Sequence, residues 1–465
     1  MSARILASTE SVCPVCLQRV AAQRVAEGDS VYLVKECDQH GRFKTVIWRG
    51  LDSYHRWGER GSRAAPPPHT ETSVVRGCPH DCGLCPDHRQ HSCCVLLEVT
   101  QRCNLKCPIC FASAADDQCD PDLSEIERWL RLLEAHGSEL NIQLSGGEPT
   151  LRDDLPQIIE LTRSLGFGFV QINTNGIRLA KEDGYARRLV DAGLDCVFLQ
   201  FDGVSDAVYQ TIRGARLLAV KKEAIARCAA AGLGVVLVPT LVPGVNVDAI
   251  GAIVDFALAR VPAVRAVHFQ PISYFGRYPK PPADDDRITL PEVMAQLEAQ
   301  TGGRVRAADF APGSAENAYC SFTGKFFVGR DGALRSAAPA SSCCAAPAGE
   351  AEHSAPACGC GVPSADAARA RRFVAAHWVA NKARSGDELQ GIDVASFDAF
   401  LADRQHSFCL SAMAFQDAWN LDLERLRECF IHVVSPDRRI VPFCAYNLTS
   451  LSGDSLYRTP ASVEA

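Results

Sequence analysis

The sequence predicts an α/β protein: a partial (βα)6 barrel, preceded by a small metal-binding unit and followed by a cysteine-bearing α+β extension. Three observations predict this. Six short apolar runs alternate with amphipathic stretches between residues 95 and 275, a Cys-x2-Cys pair and a Cys-x2-His pair bracket a β-rich stretch near the N-terminus, and single cysteines are scattered through the last third. Strand-then-helix repetition favours a parallel sheet, because each crossover helix carries the chain back to start the next strand in the same direction.

Residues 1–50 read as the metal unit. Cys13, Cys16, Cys37 and His40 supply three thiolates and an imidazole from two knuckles, a donor set that suits a closed tetrahedral zinc site. A rubredoxin-like iron is the alternative, weakened because His40 stands where a fourth thiolate belongs. Residues 51–94 begin as a polar, irregular linker with the run Pro66-Pro67-Pro68 and end in a cysteine cluster. Within it, Cys78, Cys82 and Cys85 of CPHDCGLC have cluster-ligand spacing, yet no strand precedes them and no helical pattern follows. They read as an auxiliary iron–sulfur site or a zinc site, with Cys93, Cys94 or a more distant cysteine to complete the set.

Residues 95–275 carry the repeats. The apolar runs are VLLEV (95–99), NIQLS (141–145), FGFVQIN (167–173), DCVFLQF (195–201), GVVLVPT (234–240) and VRAVHFQ (264–270). Between them lie helical patterns such as LSEIERWLRLLEAHG and VKKEAIARCAAAG, closed by glycines that suit a helix C-cap. Residues 276–334 form a connecting region on the C-terminal side of this barrel. Residues 335–361 are rich in Ala, Pro, Ser and Gly and cannot build a core; they are expected to form a flexible insertion, and Cys343, Cys344, Cys358, Cys360 and His353 within it to be disordered. Residues 362–465 form the extension, α-rich at first and ending in a helix followed by a two-stranded hairpin.

Composition narrows the function classes. A net charge of −7 over 465 residues offers no basic field for a phosphate backbone, so nucleic acid is not an expected partner. The N-terminus has no apolar run behind a basic start, and the apolar stretch near 234–245 is interrupted by Pro239, Pro243 and Gly244. A cytoplasmic protein is expected, with peripheral contact at a membrane left open. In a reducing compartment, 22 cysteines at short spacings point to metal chemistry rather than disulfides.

The chemistry-bearing motifs sit at the ends of the first two barrel strands. After VLLEV comes TQRCNLKCPICFASA, with Cys103, Cys107 and Cys110 on one loop. Three thiolates hold three irons of a cubane cluster, leaving a fourth position for a small chelating molecule. One repeat later, LSGGEPT offers Gly146 and Gly147, which permit close backbone approach, and Glu148, a carboxylate suited to an ammonium group.

Together these motifs resemble the radical S-adenosylmethionine (SAM) superfamily. The resemblance implies that the cysteine loop binds a 4Fe–4S cluster and that Gly146, Gly147, Glu148 and Pro149 meet the amino group of SAM. Ile109 matches the position facing the adenine, and Asn175, Gln200 and Asp202, at the ends of strands three and four, are candidate contacts to ribose or methionine. It further implies reductive cleavage of SAM, hydrogen abstraction from an unactivated carbon, and a reductant such as flavodoxin or ferredoxin.

The stretches CPVC…CDQHG, GCPHDCGLC, CNLKCPICFA, FQPIS, MAFQDAWNLDLERLRECFIHVVSP and PFCAYN resemble a narrower group, that of tetraether lipid synthase and the pterin methyltransferase-like proteins. This likeness implies one or two auxiliary 4Fe–4S clusters, with Cys320, Cys409, Cys429 and Cys444 as ligands. The leading expectation is carbon–carbon bond formation coupling lipid alkyl chains. Radical methylation of a pterin-like heterocycle is the alternative; a lipid wants a long apolar tunnel, a pterin a short polar pocket. A non-catalytic multi-cluster electron-transfer protein is the rival class, and it leaves Gly146, Gly147 and Glu148 without a purpose. Cys196 and Cys228 are expected in the core, Arg213, Lys221 and Lys222 on solvated helix faces, and His268 either facing the cofactor or simply buried.

Overall fold

The computed structural model describes residues 3–59, 66–67, 69–114, 119–137, 139–313, 315–329, 333–336, 371, 378–379 and 407–458. Residues 337–361, with the four cysteines and the histidine of the expected insertion, lie outside them, as does most of the expected α-rich stretch before residue 407.

The N-terminal unit is a four-stranded antiparallel sheet of β1 (Arg4–Val12), β2 (Arg19–Glu27), β3 (Ser30–Cys37) and β4 (Gly41–Arg49) in sequential order. Cys13 directly follows β1 and Cys37 ends β3, so the two knuckles meet at one end of the sheet. The expected linker starts instead with a helix, α1 (Leu51–Gly58). Its Tyr54 is buried and stacks on Tyr319 at 4.4 Å, and both rings meet Trp48 edge-on. Aromatic burial therefore fastens this helix to the body of the molecule.

The second sheet contains the six expected parallel strands: β5 (Cys94–Thr100), β6 (Asn141–Gly146), β7 (Phe169–Thr174), β8 (Cys196–Gln200), β9 (Gly234–Val238) and, after the two-residue β10 (Thr240–Leu241), β11 (Val264–Pro271). They pair in the order β5-β6-β7-β8-β9-β11. The crossovers carry α2 (Leu123–Glu134), α3 (Leu155–Ser164), α4 (Ile177–Lys181), α5 (Tyr185–Asp191), α6 (Asp206–Arg213), α7 (Leu218–Ala230) and α8 (Ile250–Leu258). Helix α2 shows why they form: Asp122 caps it by accepting from Glu125 N, and Ile126, Trp129, Leu130 and Leu133 bury one face at helical spacing.

Strand alternation sorts the sheet's two faces. Val95, Leu97, Val99, Ile142, Leu144, Val170, Ile172, Val197, Leu199, Val235 and Leu237 pack in the main hydrophobic core. Of the intervening positions, Leu96, Asn141, Gln143, Ser145, Gln171, Asn173, Phe198, Gln200 and Val238 line a central cavity, while Phe169, Cys196 and Val236 pack in a small apolar cluster.

The connecting region contributes α9 (Leu290–Gln300) and β12 (Ser321–Val328), with β13 (Leu334–Ser336) at its end. The C-terminal segment does more than cover the barrel mouth. Its β14 (Ser407–Met413) joins β11 in parallel, while β15 (Ile431–Val434) joins β5 in parallel, so both edges of the six-stranded sheet are extended. The expected helix and hairpin are present as α10 (Leu423–Arg427) followed by β15 and β16 (Ile440–Pro442), leading into α11 (Phe443–Tyr446).

Candidate active site at the carboxyl ends of the strands

The loop after β5 and the loop after β6 are locked together. Gly147 N donates to Thr100 O and Glu148 N to Arg102 O, each at 2.8 Å. The glycines are required by this contact: Gly146 has φ +127°, and a Cβ there would lie 1.9 Å from Thr100 O, one on Gly147 2.2 Å from Arg102 O. The approach they permit is thus to the cysteine loop itself.

Cys103, Cys107 and Cys110 line the cavity with Ile109, Gly146, Gly147 and Glu148. Burial pushes the Cys103 thiol up to about 12, with the Glu148, Cys107 and Cys110 charges adding to the rise. Burial also raises Cys107, opposed by the nearby Arg213 guanidinium. The loop is fastened from outside by Arg277, whose Nε donates to Cys107 O and whose backbone pairs both ways with Cys110, all at 2.9 Å. Three thiols on one loop, all facing the same cavity, are the donor set a cubane cluster needs, and binding iron would displace their protons.

Glu148 is 1% exposed and fully oriented. Its Oε1 accepts from Thr150 N, Thr150 Oγ1 and Thr174 Oγ1, and its Oε2 from Asn175 N at 2.7 Å. Four donors fix the direction of the carboxylate, which suits it to an ammonium partner. Asn175 donates through Nδ2 to Asn104 on the cysteine loop at 2.7 Å, and Gln200 also lines the cavity. Pro149 starts the turn that places Thr150.

Asp202 departs from its expected place. Instead of lining the cavity it forms a buried ion pair with Arg213, Nε to Oδ2 at 2.7 Å. Two of the three basic helix residues are corrected with it: Arg213 is 8% exposed and Lys221 0%, whereas Lys222 is exposed as expected. Lys221 Nζ donates to Asn175 O at 2.5 Å and to Gln200 Oε1 at 3.3 Å, bracing the cavity wall from behind. The signal missed in the sequence is Asp202 itself, an acid at a buried strand end that demands a cation.

The inward side chains of β6 and β7 make a polar floor that sequence reading also missed. Asn141, Gln143, Ser145, Gln171 and Asn173 all line the cavity. Gln143 Oε1 accepts from Cys94 Sγ at 3.3 Å and Gln171 Nε2 at 2.8 Å. Asn141 Nδ2, Gln171 Oε1 and Asn173 Oδ1 are buried with no hydrogen-bond partner among the described residues. Each such atom costs about 1–3 kcal/mol until something pairs with it. Beside this floor Phe198, the partner of Asn173 across β7 and β8, meets Trp378 at 4.9 Å between ring centroids. His268 lines the cavity, and burial holds it down to about 4 while Nδ1 meets Ser411 Oγ at 2.9 Å. The cavity encloses about 280 Å3.

The remaining cysteines fall into separate groups. The ligand atoms of Cys13, Cys16, Cys37 and His40 all lie within 4.8 Å of one another, a spacing for one ion, and among the described residues no other set of three or more such ligands is that tight. Burial pushes Cys13 up to about 11, whereas the backbone N–H of Gln39, then His40, holds Cys37 down to about 6. Cys78, Cys82 and Cys85 are buried together, and Tyr457 Oη anchors their loop by accepting from Cys82 N at 2.9 Å and donating to Pro79 O at 2.6 Å. Cys93 and Cys94 line the central cavity.

Cys320, Cys429 and Cys444 influence one another electrostatically, and Arg425 Nη2 donates to Cys320 Sγ at 3.5 Å. Cys409 does not join them. It sits on β14 among Phe169, Cys196, Phe198, Val236 and Ala266, its thiol 3.6 Å from Thr323 Oγ1, as a small apolar filler. Cys196 and Cys228 are core residues, as expected.

Known proteins resemble this chain in the same regions. The pattern of the Radical SAM superfamily matches residues 97–257, and that of the HMPTM N-terminal zinc ribbon domain matches residues 5–49. A 7,8-dihydro-6-hydroxymethylpterin dimethyltransferase of Methanocaldococcus jannaschii is 34% identical over 480 aligned residues, covering 94% of this chain and 93% of its own. A probable GTP 3',8-cyclase of Methanococcus maripaludis is 31% identical over 178 residues, covering 38% of this chain and 58% of its own. Among solved structures, Streptococcus suis SuiB superposes on 46% of this chain and 47% of its own with a TM-score of 0.39 and 17% identity.

Proposed function

The chain belongs to the radical SAM superfamily, as an enzyme related over nearly its whole length to a pterin dimethyltransferase, and from that premise we propose that it methylates a pterin-like heterocycle. Its cofactors are SAM and a 4Fe–4S cluster, and its zinc ribbon provides a further metal site. When bound, the cluster supplies the electron that cleaves SAM into methionine and a carbon radical able to abstract hydrogen.

The chain's own residues do the positioning. Cys103, Cys107 and Cys110 hold the cluster, Glu148 receives the ammonium of SAM, and Ile109, Asn175 and Gln200 line its surroundings. Arg213 and Lys221, both buried, keep the strand ends fixed behind them. Phe198, Trp378 and His268 line the cavity beside the polar floor and offer a flat ring an aromatic surface.

The observation that carries the substrate reading is the polar floor. From Asn141 to Ser145 the strand covers about 13 Å, a depth that fits a two-ring heterocycle. An alkyl chain laid there would leave the Asn141, Gln171 and Asn173 atoms unpaired, which disfavours lipid coupling. Cys78, Cys82 and Cys85, and separately Cys320, Cys429 and Cys444, are proposed auxiliary cluster ligands, and a flavodoxin- or ferredoxin-type protein the reductant.

Cleavage of the radical-forming SAM leaves its methyl on methionine, so a second SAM molecule must serve as the methyl donor. Anaerobic turnover with dithionite, 7,8-dihydro-6-hydroxymethylpterin and methyl-labelled SAM in at least twofold excess over the pterin is expected to yield deoxyadenosine and labelled, methylated pterin. Deoxyadenosine released without any change to the pterin would overturn the substrate reading.

A further inference from the structure

We infer that the inner halves of β6 and β7 form a subsite that reads a lactam edge, the adjoining N–H and C=O of a 2-amino-4-oxo-pyrimidine fused to a second ring. This deepens the pterin reading and rests on it. The sequence carries the signal: strands of a parallel sheet covered on both faces are ordinarily apolar throughout, yet β6 and β7 place Asn141, Gln143, Ser145, Gln171 and Asn173 at alternate positions on one face.

The donor and acceptor pattern is fixed by a short chain of hydrogen bonds. Cys94 Sγ donates to Gln143 Oε1 at 3.3 Å. That oxygen also accepts from Gln171 Nε2 at 2.8 Å. The second N–H of Gln171 Nε2 faces Cys94 Sγ at 4.0 Å, so Gln171 has only its oxygen left to offer, and Oε1 is buried without a donor. Asn173 repeats the arrangement: Nδ2 donates to Ser145 Oγ at 3.4 Å, and Oδ1 is unpaired. Asn141 presents the opposite need, a buried Nδ2 without an acceptor.

Two acceptors and one donor on neighbouring strands about 5 Å apart complement an edge with two N–H groups and one carbonyl. Terminal amide torsions are broad, so these groups turn toward a ligand at small cost. Phe198, beside Asn173 on the next strand, and Trp378 against it offer an aromatic surface for a flat ring at the end of this polar set. Guanine presents the same edge as a pterin. Arg213 is the one lysine or arginine lining the cavity among the described residues, and Asp202 already neutralises it, so a charged phosphate tail finds no partner there.

The test is equilibrium binding to the iron-reconstituted full chain under anaerobic conditions. The probes are 6-hydroxymethylpterin, its 2,4-diamino counterpart, in which the lactam carbonyl and N–H are replaced, and guanosine. Wild type is expected to bind the lactam pteridine about tenfold or more tighter than the diamino compound, with Asn141→Leu and Gln171→Leu each reducing that preference to about twofold or less. Equal binding of the two pteridines by wild type overturns the lactam subsite while leaving pterin as the substrate class. Tighter binding of guanosine than of either pteridine supports the subsite and overturns the pterin reading. Failure of all three to bind overturns both. Because the central comparison is between ligands on the unaltered protein, misfolding of a variant does not decide it.

Discussion

Arg213 on α6 grips Asp202, just beyond β8, with two donated hydrogen bonds, Nε to Oδ2 at 2.7 Å and Nη2 to Oδ1 at 2.8 Å. The same guanidinium donates to Thr240 Oγ1 at 3.0 Å and faces the Ile109 carbonyl of the cysteine loop at 3.4 Å. One buried cation thus ties the ends of three strand units together. Asp202→Asn leaves that cation uncompensated, and removing one partner of a buried pair costs about 3–5 kcal/mol. The denaturation midpoint is expected to fall accordingly; an unchanged midpoint would show that the pair does not hold the site.

Lys221 is a second buried cation, and burial pushes its amine from the ordinary 10.5 down to about 7. Between those two values the unfolded chain carries a proton that the folded chain does not. The residue's contribution to stability therefore rises with pH across that window, and its full burial cost is present below about pH 7. Melting of wild type and Lys221→Met, compared from pH 6 to 10, is expected to show the difference moving in favour of wild type only above about pH 7. A difference independent of pH would contradict the assignment.

Glu148→Gln keeps the shape of the side chain and removes its charge. An amide also places N–H groups among the donors from Thr150, Thr174 and Asn175. Affinity for SAM, measured by anaerobic calorimetry on the reconstituted protein, is expected to drop about tenfold or more. Wild-type affinity in the variant would place the amino group elsewhere.

In the zinc ribbon, Cys13 and Cys16 provide half of a four-ligand set. Elemental analysis of a Cys13→Ala, Cys16→Ala variant is expected to show the loss of about one zinc per chain. A wild-type protein that carries iron there instead would favour the rubredoxin-like alternative.

Much of this was legible in the sequence because local chemistry announced it. The six strands follow from apolar runs, the cysteine loop from its spacing, and the zinc ribbon from two knuckles separated by a β-rich stretch. What escaped was tertiary. Arg213 and Lys221 look like solvated helix residues until the fold buries them against Asp202, Asn175 and Gln200. Cys409, like Cys429 and Cys444, stands singly beside a phenylalanine in the sequence, but its strand turns it into the apolar face with Phe169 and Phe198. The polar floor was hidden differently: NIQLS reads as an ordinary apolar strand unless its odd positions are counted separately from Ile142 and Leu144.

Release of 5′-deoxyadenosine bears most directly on the cysteine loop and Glu148 acting as one site. Anaerobically reconstituted protein, reduced with dithionite and given SAM, should form deoxyadenosine, and a Cys103→Ala, Cys107→Ala, Cys110→Ala variant should form none while losing about four irons per chain. SAM left intact by the wild type, or cleaved undiminished by the triple variant, would contradict it.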